Sequence, residues 1–367
     1  MTGILHINTE FGWRGGENQL AYLLEGLESS SFQNHLLASE GSEVATRLSP
    51  KVKTKTVRAH MGHTYNIAKD VVAYCQTNEI KLISAHNSAG HNIGIVASML
   101  NPNLKLVVHR RVDNRPNRSP YHRYKYKCRH VSRYITVSQF IAQGLMDYGI
   151  PPEKIQVVYS GIKSDFWQPK EKVAAKKNLA EKLNINPNLP WIGNASALTR
   201  QKGYHTFVDS MARLKNLGLP FRALIAGEGY LRESLENQVK EFGLANEVRF
   251  LGYLNDTGPL LKALDILLVP SRNEGLGTVL LEGIAAGCYV VGHNVGGIPE
   301  IIKDGKTGFL ANPKRPEHIA DITQEILENP RKWEDLKASA TEHVKENFQA
   351  STMIVNTREI YESVLAP

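Results

Sequence analysis

The segment Pro270–Gly287, reading PSRNEGLGTVLLEGIAAG, holds the residue types and spacing best suited to chemistry in this sequence. An apolar run stops at Pro270, a loop brings Glu274, Gly275 and Gly277, and a helical pattern opens at Thr278 and carries Glu282. Glycine lets backbone approach a ligand closely, and the amides of a helix start, backed by the macrodipole, attract an anion. Glu274 and Glu282 lie eight positions apart, one in the loop and one about a turn into the helix, so both can reach one extended ligand. Each carboxylate accepts two or more hydrogen bonds and suits the hydroxyls of a sugar or a ribose. A glutamate that merely answers the macrodipole is the competing reading.

Other glycine turns follow apolar runs. Gly292–Glu300 reads GHNVGGIPE, and its Gly296-Gly297 pair has the makings of a backbone nest for phosphate. Lys202-Gly203 comes after the run at Trp191–Asn194, Gly227-Glu228-Gly229 after Arg222–Ala226, and Gly15-Gly16 after Ile4–Ile7. A lone double glycine says little. Several such turns at strand ends, with a lysine among them, outline an anionic ligand that spans two domains.

The elements that must position these residues are short apolar strands alternating with amphipathic helices. Strands are predicted at Ile4–Ile7, Leu82–Ser84, Leu106–Val108 and Tyr134–Val137, then at Trp191–Asn194, Arg222–Ala226, Val248–Phe250, Ile266–Val269 and Tyr289–Gly292. Helices are predicted between them, among them Asn18–Leu27, Gln139–Tyr148, Tyr204–Leu217, Leu231–Phe242 and Thr278–Ala286. That alternation implies an α/β fold with parallel sheets. At 367 residues the chain suits two domains. The proline- and lysine-bearing stretch 164–190 reads as their junction. The expectation is two doubly wound, Rossmann-like domains facing across a cleft, residues 1–165 and 166–350. The amphipathic stretch Ser351–Leu365 lies in a final helical segment, 351–367.

Composition narrows the function classes. Hydrophobic residues are 42% and charged residues 22%, as in a packed globular protein. No run of 18 apolar residues occurs, and Met1–Thr9 reads as a first strand rather than a signal peptide. Cys75, Cys128 and Cys288 are odd in number and widely spaced, which suggests a reducing compartment, the cytoplasm, and no metal site. The net charge of +8 falls entirely in residues 1–160, which hold 19 Lys/Arg against 11 Asp/Glu. Nine of those cations lie in Arg110–Arg133, with Asp113 the one acid and Tyr121, Tyr124 and Tyr126 interleaved. A solvated helix face and an anionic acceptor or membrane surface both fit; nucleic acid fits less well.

The motifs in order make a resemblance plain. GWRGGENQL near the start is followed by AHNSAG at Ala85–Gly90, VVHRR at Val107–Arg111, ITVSQFIAQGL at Ile135–Leu145 and VVYSGI at Val157–Ile162. ALTRQKG at Ala197–Gly203, AGEGYLRESLE at Ala226–Glu236, VRFLGY at Val248–Tyr253, the Pro270–Gly287 block and GGIPEII…GKTGFL complete the series. Nearly the whole chain is thus similar to the group 1 (family 4) retaining glycosyltransferases of the GT-B fold. The resemblance implies an enzyme that moves a sugar from a nucleoside diphosphate sugar to an acceptor without a metal or other cofactor. It makes Glu274 the glutamate beside the donor sugar, Glu282 the one on the ribose, and Lys202 the cation on the diphosphate. Gly15 and Gly16 fall in the loop that approaches the diphosphate from the first domain. Leu276, Gly277 and Thr278 match the loop whose amides touch the distal phosphate, and Gly227 belongs to the donor-binding set. His109 matches the histidine near the reacting sugar, with His86 a second candidate and hydrogen-bonded scaffold the competing reading for either.

The chain departs from the family where most relatives carry an arginine five residues before the lysine. Here that residue is Ala197; either nearby Arg200 supplies the second positive charge, or diphosphate binding is weaker or rests on Lys202 alone. Uridine is the expected base, on its frequency in the family. The expected acceptor is an anionic glycan or glycolipid, of the lipopolysaccharide-core or lipid-linked kind. Residues 110–133 would then touch the inner face of the cytoplasmic membrane. A non-catalytic or partner-dependent protein that binds a nucleotide sugar, and a nucleotide-sugar epimerase, are the alternatives.

Overall fold

In a computed structural model, residues 2–28, 31–58, 63–113, 116–117, 119–163 and 172–366 are described. The expected junction therefore lies partly outside the described residues, at 164–171. Its remainder begins with a helix, Lys172–Leu183. The chain divides into two units, residues 1–161 with 350–367, and residues 162–349.

The first unit has a seven-stranded sheet. Its strands are β1 (Thr2–Asn8), β2 (Phe32–Ser39), β3 (Lys53–Val57), β4 (Ile80–Ala85), β5 (Lys105–Arg110), β6 (Val131–Thr136) and β7 (Ile155–Val157), in the order β3-β2-β1-β4-β5-β6-β7. Every pairing is parallel. A parallel sheet must be covered on both faces, so its central strands are apolar almost throughout; Ile4, Leu5 and Ile7 of β1 have no exposed surface. Side-chain caps fix several helix starts: Asn87 accepts from the Gly90 amide, and Ser138 from the Ile141 amide. The helix Ala350–Leu365 returns to this unit. Its Met353, Tyr361 and Val364 pack with Ile4, Leu82 and Val107. A Cβ at Gly26 would overlap Ile354, so that glycine lets the helix Gly15–Leu27 lie close to it.

The second unit has six parallel strands: β8 (Trp191–Ala195), β9 (Arg222–Ala226), β10 (Val248–Gly252), β11 (Ile266–Val269), β12 (Tyr289–His293) and β13 (Phe309–Ala311). Their order is β10-β9-β8-β11-β12-β13. The helix Tyr204–Asn216 buries Tyr204, Phe207, Val208, Met211 and Leu214 against this sheet. Both sheets are doubly wound: each reverses its winding once, between β1 and β4 and between β8 and β11, and ligands of such sheets bind beyond the strand ends at that point.

Candidate active site

At the second unit's reversal point, the loops that leave β8 and β11 lie against each other. A Cβ on Gly203, which has φ 70°, would overlap the Pro270 carbonyl. The Arg272 amide donates to the Gln201 carbonyl at 2.8 Å, and Gln201 Nε2 donates to the Asn273 carbonyl at 3.0 Å. This bracing brings Lys202 Nζ to 2.6 Å from Glu274 Oε2. Ser271 Oγ donates to the same oxygen at 3.1 Å. Glu274 is buried, so its charge rests on these two donors.

Gly277, at φ 96°, turns the chain into the helix Thr278–Ala285. The first-turn amides of a helix have no partner within it, and here they follow buried Leu276. Glu282 is half-buried on the same helix. Burial, with Asp256 adding to it, raises its carboxyl to about 7. The exposed Arg200 shares a single turn of 3-10 helix with Lys202, and its amide donates to the Tyr230 hydroxyl at 3.0 Å.

Two glycine turns do something other than the sequence suggests. The Gly297 amide donates to the Glu274 carbonyl at 3.1 Å, and a Cβ on Gly296 would overlap that carbonyl. The pair buttresses the Glu274 loop, so this amide is not offered to a phosphate. The Gly227 amide likewise donates to the Gly252 carbonyl at 2.7 Å. A Cβ on Gly227 would overlap the Ser196 carbonyl, so this glycine makes room for the loop after β8.

The first unit assembles a second group at its own reversal point. His86 leaves the end of β4, His109 sits in β5, and their rings stack at 4.3 Å. Arg111 Nη1 donates to His86 Nδ1 at 2.9 Å. The Arg111 side chain passes Gly16, whose added Cβ would lie in ordinary contact with it. Gly15 and Gly16 open the helix Gly15–Leu27, where Glu17 accepts from the Arg14 amide and from Asn8. Thus Gly16, His86, His109 and Arg111 are brought together. Three residues absent from the expected set join them. His6 of β1 stacks on His86, Ser84 of β4 bonds it, and the Tyr361 hydroxyl lies 3.0 Å from His109 Nε2. A polar residue inside an apolar strand was the available signal for His6 and Ser84. Burial pushes His6 down to about 4 and holds His86 and His109 well below the usual histidine range, so all three are neutral near pH 7.

The basic segment is not all surface. Arg110 and Lys125 are buried, and Lys125 Nζ donates to Ser88 Oγ at 2.8 Å and to the Ser88 carbonyl at 3.0 Å. Burial, then Arg110, lowers the Lys125 ammonium to about 8. Arg123, Lys127 and Arg129 are exposed beside Tyr121 and Tyr124, while Arg115 and Arg118 lie outside the described residues. Among the described residues no helix is long and apolar enough to cross a membrane.

Comparison with known proteins gives the family and the fold. The family described as glycosyl transferases group 1 matches residues 175–343, and that described as glycosyltransferase family 4 matches 13–166. An uncharacterized glycosyltransferase of Methanocaldococcus jannaschii is 30% identical over 231 residues, 62% of this chain and 59% of that protein. A lipopolysaccharide core biosynthesis glycosyltransferase of Rhizobium meliloti is 30% identical over 146 residues, 40% of this chain and 42% of that protein. The chain thus spans about half the length of the curated relatives it matches. Among solved structures, Anabaena HepE in complex with UDP-glucose superposes with a TM-score of 0.86, at 22% identity and over 99% of this chain and 100% of that one. The chain belongs to the group 1, family 4 glycosyltransferases and has their two-domain GT-B fold.

Proposed function

We propose that the protein transfers a sugar, with retention of configuration, from a UDP-sugar to an anionic glycan or glycolipid acceptor, as in lipopolysaccharide-core or lipid-linked glycan synthesis. The observation that carries this reading is the second unit's reversal point, where Lys202 meets Glu274 at 2.6 Å and the helix bearing Glu282 starts. The neighbouring complex with UDP-glucose and the relative in lipopolysaccharide core synthesis support the donor and acceptor classes.

Transfer proceeds through an oxocarbenium-like state as a nucleoside diphosphate leaves with growing negative charge. Lys202, joined by Arg200 and by the amides of Leu276, Gly277 and Thr278, stabilises that charge, so the reading needs no metal or other cofactor. Glu282 accepts from the ribose. Gly227 shapes the donor site by letting the Ser196 carbonyl come close. Glu274 positions the donor sugar and stabilises its positive charge, and the leaving diphosphate takes the acceptor proton. Gly15 and Gly16 give close approach to the first unit's loop, and His109 contacts the reacting sugar. Arg123, Lys127, Arg129 and the two exposed tyrosines form the surface for an acidic acceptor at the inner face of the cytoplasmic membrane.

A thermal-shift panel with UDP, GDP, ADP and CMP, run on the wild type and on Glu282→Ala, tests the donor site. Ligand at about 100 times its Kd adds about 2.7 kcal/mol to stability, a shift of several degrees. UDP should stabilise the wild type and not the variant; no stabilisation by any of the four would overturn the reading. Ala197 favours one second reading, a donor-binding protein without activity. UDP binding with no release of UDP from UDP-glucose would select it.

A further inference from the structure

We propose that Tyr361 is a positioning residue for His109: its hydroxyl donates to His109 Nε2 and holds the ring as the neutral tautomer with its proton on Nδ1. The proton order follows from one obligate donor. Guanidinium has no acceptor, so the 2.9 Å contact from Arg111 Nη1 makes His86 Nδ1 the acceptor and places the proton of a neutral His86 on Nε2. That nitrogen lies 3.0 Å from His6 Nδ1 and 3.0 Å from Ser84 Oγ, so both accept from it. His6 then carries its proton on Nε2, which faces Asn34 Oδ1 at 3.2 Å, an acceptor. The chain closes correctly at that end.

At the other end, Ser84 Oγ lies 2.7 Å from the Tyr361 hydroxyl. Having accepted from His86, Ser84 gives its own proton to Tyr361. Tyr361 passes its proton on to His109 Nε2, 3.0 Å away. The opposite order would have Ser84 accept from both His86 and Tyr361, leaving the serine proton without an acceptor in the described network. Tyr361 and His109 are 252 positions apart, and the helix Ala350–Leu365 closes that distance. Tyr361 is fully buried, and its ring meets Phe32 edge-on at 6.4 Å and lies at the same kind of angle to His109 at 6.3 Å, so the hydroxyl has little freedom to turn away.

The consequence concerns chemistry. With Nε2 receiving a hydrogen bond and Nδ1 already protonated, neutral His109 offers an N–H and no free lone pair. It donates to a ligand hydroxyl or oxygen and does not act as a general base. This role rests on the glycosyl-transfer reading; the proton order does not.

The test is the tautomer itself, read by long-range proton–nitrogen correlation on histidine-labelled protein at pH 7.5, with His109→Gln used only to assign the signal. The wild type should show protonated Nδ1 and unprotonated Nε2 at His109. Tyr361→Phe keeps the ring and removes the donor, and should move the His109 proton toward Nε2. A protonated Nε2 at His109 in the wild type, or one tautomer shared by both proteins, would overturn the proposal. The wild-type spectrum decides this even if the variant folds poorly. With UDP-glucose as the probe donor, Tyr361→Phe should release UDP with kcat lowered about tenfold and KM for the donor little changed. A tautomer shift with kcat unchanged would leave the proton order standing and remove His109 from the reaction.

Discussion

A carboxylate 2.6 Å from an ammonium has largely neutralised it before any ligand arrives, and that is the state of Lys202 beside Glu274. A diphosphate must share Lys202 with that carboxylate and meet its repulsion as well. Glu274→Gln keeps the shape and removes the negative charge. For a partly exposed pair the gain is on the order of 1 kcal/mol, so UDP should bind several-fold more tightly to the variant by calorimetry while turnover of UDP-glucose falls. Weaker UDP binding would mean that Glu274 holds Lys202 in place for the ligand. Glu282 has a different signature. Its carboxyl, raised to about 7, is mostly protonated at pH 6 and mostly ionised at pH 8, and the ionised form is the better acceptor for ribose hydroxyls. UDP affinity of the wild type should therefore rise about tenfold between those two values. The phosphate itself titrates near pH 6, so the quantity to measure is the ratio of wild-type to Glu282→Gln affinity. A ratio flat with pH would remove Glu282 from the ribose.

Between residue and fold stand the strand ends, and there the glycines differ in what they permit. Gly203 and Gly218 both adopt left-handed backbone, at φ 70° and 73°. A Cβ at Gly218 meets nothing, whereas one at Gly203 overlaps the Pro270 carbonyl just after β11. Gly218→Ala should cost about 1 kcal/mol, the left-handed penalty alone. Gly203→Ala should cost on the order of 3 kcal/mol and weaken UDP binding, because it pushes the Lys202 loop off the Glu274 loop. Chemical denaturation of both variants checks this, and equal losses would show that the loop contact is slack. The same scale explains what the sequence could reveal. β8, β9, β11 and β12 were legible as apolar runs closed by turn residues, and their loops supply Lys202 and Glu274. β2 was missed because Gln33, Asn34 and His35 interrupt its apolar residues, and β3, KTKTV, because it is a sheet edge whose lysines answer solvent. The contact between Lys202 and Glu274 depends on β8 and β11 being neighbours, a fact of sheet assembly that no local pattern encodes. Tyr361 read only as part of an apolar helix stripe, since its partners His109 and Ser84 are distant in sequence.

Across the whole molecule the two units carry titrating groups of opposite sign. In the first unit His6, His35, His86, His91 and His109 all lie below the ordinary value of 6.5, chiefly through burial. An unfolded histidine binds its proton as pH falls through 6.5, while folded His6 waits until about 4. The unfolded state thus gains protons that the folded state refuses, and stability present above pH 6.5 is lost toward pH 4. His6 has no exposed surface, and its share is on the order of 3 kcal/mol. In the second unit burial raises Glu282 to about 7 and also raises Asp209. A folded carboxyl that binds its proton more readily than the unfolded one contributes stability at low pH, and for Glu282 that contribution is lost as pH rises through 7. Lowered His293 opposes it, as does lowered Glu317, which lies at the surface. Acidification from pH 7.5 to 5 should therefore weaken the first unit much more than the second. Hydrogen exchange read by mass spectrometry at the two pH values, corrected for the intrinsic rate, separates them. Protection should fall in β1, β4, β5 and the helix Ala350–Leu365 while β8, β11 and β12 hold theirs. Loss that begins in the second unit, or equal loss in both, would show that the buried histidines exchange their protons without opening the fold.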